Sequence, residues 1–214
     1  MFVTRARVIL LAATIGAPSL AAQTRVGFFG GMSLTTFAGA DAGNPDARKG
    51  MQAGGFVIFP ATPNLAFRTG LTYVQKGAED TITGVARVRF ALTYVELPLL
   101  ARVSFLNAQK ISAYALGGVA IGFKTGCNFE IEDASGKQSI ACDNTALQAF
   151  PVKSRDFNVS ADGGVLFAPE DKISLVIDVL HQWGMGTIDA SAQPPSIKNK
   201  GWQIGMGIAF NLAR

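Results

Sequence analysis

The side chains of this sequence that could do chemistry are few, and the one histidine, His181, is the first to consider. A serine or cysteine nucleophile needs a base, usually histidine, that a third group orients. His181 shares its parity with Val179 and Trp183 in an alternating segment, and the Gln-Trp-Gly that follows supplies no serine. We therefore predict that His181 lies on an apolar face beside an interfacial tryptophan, that no residue is catalytic, and that the protein is not an enzyme.

Charged side chains of both signs occupy the polar faces of other alternating segments. The clearest are Arg68, Glu96, Arg102, Asp162 and Asp178. If these faces line a closed interior, the charges leave water, and charges out of water must be paired. We expect the three carboxylates to face the two arginines in a packed network. A narrow ion path along the same residues is the alternative.

The two cysteines, Cys127 and Cys142, lie in one polar stretch of the chain. In an exported protein, an even pair this close predicts a disulfide. Neither cysteine has a second ligand at the spacing of a zinc site. The acidic residues of the same stretch, Glu130, Glu132 and Asp133, are interpreted as solvated. We predict no metal and no cofactor.

The elements that must position these residues are long strands with a period of two. In the last segment, Trp202, Ile204 and Met206 alternate with Gln203 and Gly205. Such alternation over about ten residues is typical of bilayer-spanning strands, whereas soluble strands are usually about five or six residues long. Eight strands are predicted, at 25–34, 50–59, 64–76, 86–105, 110–124, 156–167, 172–183 and 202–212.

The fourth predicted strand does not keep one pattern. Leu92 and Tyr94 have one parity, whereas Val95, Leu97 and Leu99 have the other. A shift of one residue moves every side chain to the other face. We therefore predict a bulge between Tyr94 and Leu97.

The connections alternate between short and long. Segments 60–63, 106–109 and 168–171 are short, whereas 125–153 and 184–198 are long and polar. Short turns at one end and long loops at the other are typical of outer-membrane barrels, whose short turns face the periplasm. An even number of strands places both termini at the short-turn end.

The first 22 residues have the composition of a signal peptide. Arg5 and Arg7 precede an apolar run that ends in small residues, with cleavage expected after Ala21 or Ala22. Residues 24–214 then form one domain, exported through the Sec pathway. No other run of about 18 apolar residues predicts a membrane-spanning helix. The net charge of +4 is too small to indicate nucleic-acid binding.

The sequence thus predicts an all-β fold, an eight-stranded antiparallel up-and-down transmembrane β-barrel preceded by a cleaved signal peptide. Eight strands leave an interior that side chains fill. The favoured function is a non-enzymatic structural or interaction barrel in the outer membrane of a Gram-negative bacterium. A small porin-like channel is the alternative, and a lipid-modifying enzyme using His181 is a weaker one. A soluble lipocalin-like barrel would require large apolar residues facing inward, and the continuous apolar face, the signal peptide and the long strands argue against it.

Two segments resemble the PorT-like outer membrane protein beta-barrel domain family. The fourth strand contains Tyr-Val-Glu-Leu-Pro-Leu-Leu at 94–100, and the third contains Gly-Leu-Thr-Tyr-Val-Gln-Lys-Gly at 70–77. The motif positions are Gly70, Tyr73, Lys76, Gly77, Tyr94, Glu96 and Pro98.

The resemblance implies an eight-stranded outer-membrane barrel, generally without an assigned activity. It also implies outer-membrane lipid around a monomer, assembly by the barrel-assembly machinery, and an unknown partner at the outer loops. Many such barrels end in an aromatic residue, whereas this sequence ends in Arg214.

Overall fold

The computed structural model describes residues 24–82, 86–142, 151–170 and 172–212. These ranges form antiparallel strands joined by turns and loops. No helix in the described ranges is long and apolar enough to cross a membrane. The predicted signal peptide lies outside the described residues.

Nine strands are present in the described ranges, and the prediction located eight of them. The additional strand is a short one in the segment that was predicted to be a loop. In chain order the strands are β1 Arg25–Ala38, β2 Asp46–Pro60, β3 Leu65–Ile82, β4 Ala86–Ala108, β5 Ile111–Asp133, β6 Gly136–Ala141, β7 Arg155–Phe167, β8 Ile173–Gly184 and β9 Lys198–Asn211.

Eight of these strands close into a ring. Each strand pairs with its neighbour in the chain, except that β5 pairs with β7, and β1 pairs with β9 to close the barrel. Strand β6 pairs only with the far end of β5, outside the ring. The predicted eight-stranded antiparallel barrel is confirmed.

The period of two sorts the side chains between the two surfaces of the barrel. Outward-facing residues are large and apolar, and many of them are exposed. The exposed fraction is 69% for Phe28, 66% for Met206 and 61% for Leu71. Monomeric soluble proteins rarely expose apolar patches of more than a few hundred Å². An apolar belt around a polar interior is the arrangement that a lipid surrounding requires.

Three strands continue beyond the ring at the long-loop end. Strand β3 extends past its predicted end at Lys76 to Ile82, and β5 extends past Lys124 to Asp133. The predicted loop at 125–153 was therefore wrong for its first part, which is strand followed by the β5–β6 hairpin. Charged residues are depleted in strands and favour a loop prediction. Here opposite charges face one another across the strands and stabilise the pairing.

The bulge predicted in the fourth strand was wrong. Strand β4 keeps one register against β3, with Leu92 and Tyr94 fully buried inside and Leu99 53% exposed outside. The change of parity arises because apolar residues face inward at one level of the barrel. The pairing of β4 with β5 does shift at Tyr94, but the extra residue there is Thr125 of β5. Strand β4 has an extra residue of its own only near its end, at Phe105.

Candidate functional site

The interior of the barrel is filled by polar side chains that face inward from seven of the eight ring strands, all except β5. They include the five charged residues that the sequence analysis selected, and all five are buried. The buried polar and charged residues on the inward faces of the ring strands are Ser33, Thr35, Gln52, Arg68, Thr72, Lys76, Glu96, Arg102, Asp156, Asn158, Ser160, Asp162, Ser174, Asp178, Gln182, Asn199 and Gln203.

The first interior cluster is centred on Lys76, which is 1% exposed. Its Nζ lies 2.6 Å from Oε1 of Glu96 and 3.6 Å from Oδ2 of Asp156. The same ammonium lies 5.6 Å from the centre of the Tyr94 ring. Glu96 was expected to face Arg68 and Arg102. This prediction was wrong, because the ion pair of Glu96 is with Lys76.

Side-chain amides satisfy the carboxylates of the Lys76 cluster. Gln182 donates from Nε2 to Oε2 of Glu96 at 3.1 Å, and Gln203 donates to Oε1 of Gln182 at 2.7 Å. Asn199 donates from Nδ2 to Oδ2 of Asp156 at 2.7 Å. These bonds link strands β4, β7, β8 and β9 across the interior, so the cluster braces the barrel from within.

The second cluster is centred on Arg68 and Asp178. The Nη1 of Arg68 donates to Oδ2 of Asp178 at 2.6 Å, and the hydroxyl of Tyr114 donates to Oδ1 of the same carboxylate. The Arg68 guanidinium also lies 4.3 Å from the centre of the Phe56 ring. Three strands, β3, β5 and β8, thereby meet at one buried carboxylate.

The other two selected residues are less completely partnered. Arg102 stacks on Tyr114 at 3.9 Å from the ring centre, but its Nε and Nη2 are buried and have no hydrogen-bond acceptor among the described residues. Asp162 is buried near Arg68, and its Oδ1 has no hydrogen-bond donor in the same set.

A small cavity separates the two clusters. It has a volume of about 50 Å³, and Arg68, Glu96, Asp162 and Asp178 all line it. A cavity of this size holds only a few water molecules.

An apolar plug covers the interior at the long-loop end. Val74, Leu92 and Tyr94 are completely buried there together with Ile188 from the β8–β9 loop. Lys153 donates its N–H to the carbonyl of Ile188 at 2.7 Å, and Ala190 donates to the carbonyl of Pro151 at 2.7 Å. Two loops are thus joined over the mouth, and one of them inserts a side chain into it.

A second apolar layer surrounds the Arg68 cluster toward the short-turn end. Buried residues of every ring strand except β1 contribute to it, and their side chains fill the bore beside the charged groups. The buried members are Phe56, Ile58, Ala66, Leu100, Tyr114, Leu116, Leu166, Val176 and Ala209.

His181 lies on the outward face, as the parity of its segment predicts, but it is covered. Its ring lies 4.1 Å from the Trp183 ring and 4.4 Å from the Trp202 ring, between centres. Only 7% of its surface is exposed, and its Nδ1 has no hydrogen-bond partner among the described residues. A general base must reach the proton that it removes, and two indoles enclose this imidazole instead.

The strands beyond the ring carry a second set of ion pairs on their outward face. Arg89 of β4 lies 3.1 Å from a carboxylate oxygen of Glu79 and 3.0 Å from one of Glu132. Lys137 of β6 lies 3.0 Å from Glu130. The acidic run that was interpreted as solvated is therefore balanced by cross-strand cations.

The tip of this extension is fixed by local bonds. The hydroxyl and the backbone N–H of Ser135 both donate to Oδ1 of Asp133, which holds the pKa of that carboxyl below its usual range. A disulfide joins Cys127 of β5 to Cys142 after β6, with their Cα atoms 5.4 Å apart. The described residues contain no group of three or more histidine, cysteine, aspartate or glutamate side chains that could hold a metal.

Sequence reasoning placed Lys76 on the polar face of the third strand but not in the charge network. The signal was present, because Lys76 and Gly77 end the Gly-Leu-Thr-Tyr-Val-Gln-Lys-Gly run. The register pairs Thr72 with Glu96 and Lys76 with Leu92, so the lysine reaches along its strand to the carboxylate. That offset depends on the exact register of two strands, which the sequence pattern does not give.

Among curated proteins, none matches this sequence. Several solved structures are similar to it. Neisserial surface protein A is 9% identical with a TM-score of 0.50, covering 88% of this chain and 96% of that one. The attachment invasion locus protein Ail of Yersinia pestis is 13% identical with a TM-score of 0.43, covering 88% and 100%.

The N-terminal barrel domain of Pseudomonas aeruginosa OprF is 11% identical with a TM-score of 0.41, covering 87% of this chain and 97% of that one. A family model described as outer membrane protein beta-barrel domain matches residues 21–213, which includes every ring strand and both interior clusters. With its closed ring, apolar outer belt and charged interior, the chain belongs to the outer membrane protein beta-barrel domain family.

Proposed function

We propose that this protein is a non-enzymatic outer-membrane barrel with a closed interior, which acts as a structural or interaction protein through its long-loop end. The observation that carries the proposal is the filling of the interior. Two apolar layers enclose two ion clusters, and the cavity between the clusters measures about 50 Å³. A pore would need a continuous water path, and side chains occupy the one available here.

The long-loop end is the part of the molecule suited to contact with other molecules. Strands β3, β4 and β5 project beyond the ring there, and the disulfide and the β5–β6 hairpin hold the projection in one shape. We assign this end to the cell exterior and the short turns and both termini to the periplasm, because outer-membrane barrels have this asymmetry. An unidentified partner would bind at the exterior end.

The proposal includes a route to the membrane. Export through the Sec pathway and insertion by the barrel-assembly machinery would give a monomer surrounded by lipid. Within the family, the segments at 70–77 and 94–100 resemble PorT-like members, and we place the protein with them on those motifs. The lysine and the glutamate of the two motifs form the central ion pair, which gives the motifs a structural role.

The test is the conductance of the refolded mature protein in planar bilayers, after its fold has been checked by the change in gel mobility on heating. We expect no steady conductance above that of lipid alone. The matched variants are Glu96→Gln and Asp162→Asn, which neutralise residues that line the interior cavity. Lys200→Gln, on the exposed outward face of β9, is the control.

A steady conductance that changes in Glu96→Gln or Asp162→Asn but not in Lys200→Gln would identify a pore and refute the proposal. Silence from a folded barrel supports a closed interior. The search would then turn to molecules that bind the β5–β6 hairpin.

A further inference from the structure

A cavity of about 270 Å³ lies at the short-turn mouth of the barrel, and the functions considered above do not use it. The turns after β2 and β4 form its rim, and inward-facing residues of β3 and β4 form its floor. Its lining is part polar and part apolar, with Asn64, Asn107 and Ser112 beside Ile58, Leu65 and Leu166. In the orientation proposed above, this mouth faces the periplasm.

Arg102 at this cavity is a buried cation without a paired anion among the described residues. It is 6% exposed, and no described carboxylate lies within 4 Å of it, whereas Arg68 and Lys76 each have one at 2.6 Å. Its Nε and Nη2 have no acceptor among the described residues. These two nitrogens form the edge of the guanidinium that meets a carboxylate or a phosphate with two parallel hydrogen bonds.

The other charged groups of the described lining have the same sign. They are Arg25 and Lys110, and the lining includes no carboxylate. Arg25 lies close enough to Arg102 for their charges to repel, and it donates from Nε to Asn211 at 2.8 Å. Glu170 on the β7–β8 turn is exposed and does not line the cavity. Three cations around one cavity favour an anion inside it.

We propose that this cavity binds an oxyanion, the carboxylate or phosphate group of a small periplasmic molecule, with Arg102 as the principal donor and Arg25 and Lys110 at the rim. The buried guanidinium then gains the partner that the described residues do not supply. The apolar part of the lining accommodates the organic body that carries the anion. The proposal does not depend on whether the interior conducts.

The experiment uses the full mature chain refolded in an uncharged sugar detergent. Its thermal unfolding midpoint is followed by gel mobility and circular dichroism during titration with sodium phosphate, sodium acetate or sodium chloride at one ionic strength. A ligand that binds the folded state raises the midpoint in proportion to the logarithm of its concentration once the site is saturated. We expect phosphate or acetate to raise it above the chloride value, and the more effective of the two identifies the class of anion.

Arg102→Lys keeps the positive charge but removes the two-nitrogen edge. It should weaken the apparent affinity roughly tenfold, as expected when a charge-assisted hydrogen bond is lost. Lys110→Gln, an exposed rim change that leaves the interior intact, should weaken it about twofold to threefold. Lys200→Gln, which removes a cation on the outward face of β9, should leave it unchanged.

Equal midpoints in the three salts for the unaltered protein would overturn the proposal. So would an anion effect that persists at full strength in Arg102→Lys or, if that variant does not fold, in Lys110→Gln. Because the Lys110→Gln change is at an exposed turn, the proposal can be judged even if Arg102→Lys fails to fold.

Discussion

Two cations in this barrel each contact two or more carboxylates, and their surroundings differ completely. Lys76 is inside the ring, where its side chain is 2% exposed and meets Glu96 and Asp156. Arg89 is on the strands beyond the ring, where its side chain is 22% exposed and meets Glu79 and Glu132. The Arg89 group has the larger number of close contacts, but the Lys76 group should matter more for stability.

The reason is the solvent that surrounds each group. Water screens an exposed pair, so a surface ion pair contributes about 0–1 kcal/mol. A buried pair gains little net energy when it forms, but removing one partner leaves an unpaired charge out of water, at a cost of about 3–5 kcal/mol. The comparison therefore predicts a large difference between variants that alter similar chemical groups.

The largest effect is expected for Lys76→Met. This change leaves Glu96 and Asp156 buried without a cation and should lower the free energy of unfolding by about 3–5 kcal/mol. Urea unfolding of the refolded protein, followed by tryptophan fluorescence, measures it. Lys200→Met on the exposed outward face is the control and should change stability by less than about 0.5 kcal/mol.

Adding Glu96→Gln to Lys76→Met should recover part of the loss, because one of the two stranded charges is then removed. Equal stability of Lys76→Met and Lys200→Met would mean that the interior is wet and that burial does not separate the two groups.

The second cluster gives an intermediate case. Tyr114→Phe removes one of the two donors to Asp178 and leaves Arg68 in place. Loss of a hydrogen bond to a charged group costs about 1.5–3 kcal/mol. The free energy of unfolding measures this loss, and Tyr73→Phe, at an exposed outward position, is the matched control. A loss equal to that of Lys76→Met would show that the donor matters as much as the counter-charge.

The sequence was sufficient to predict the ring because its evidence is local. A period of two over about ten residues repeats in each strand, so the strand count and the outward position of residues such as Met206 and Ile204 follow without knowledge of the pairing. The inward position of Leu92 and Tyr94 could not be predicted in this way. They are apolar, and the alternation rule assigns apolar residues to lipid, whereas here they pack with Ile188 from a distant loop.

The ion partners were harder to predict for a related reason. Lys76 and Arg68 both point inward, and which of them reaches Glu96 depends on the offset between β3 and β4 and on the tilt of the barrel. The strands beyond the ring were missed because Glu79, Arg89 and Glu130 have a composition typical of loops. Their pairing depends on cross-strand contacts that appear only once the register is known.

A smaller effect is expected where the two regions join. Gly77 directly follows Lys76 and has φ of +131°, and an added Cβ would overlap the carbonyl oxygen of Phe90. Gly77→Ala should cost about 1–3 kcal/mol through backbone strain and the overlap. Gly163→Ala, where nothing lies within 4 Å of the added atom, is the control. Equal unfolding midpoints for the two variants would show that β3 can leave the ring without this backbone conformation.

The smallest effect is expected for Arg89→Gln, which removes the central cation of the exposed group. Its three carboxylate neighbours remain in contact with water, and Lys137 still lies 3.0 Å from Glu130. The loss should therefore be at most about 1 kcal/mol and should shrink as salt is added, because ions screen exposed charges over about 8–10 Å at ordinary ionic strength. The free energies of unfolding of Arg89→Gln and Lys76→Met, measured at low and high salt, test the comparison directly. A loss for Arg89→Gln that is large and insensitive to salt would show that the strands beyond the ring are as dry as the interior, and that the number of contacts rather than burial sets the energy.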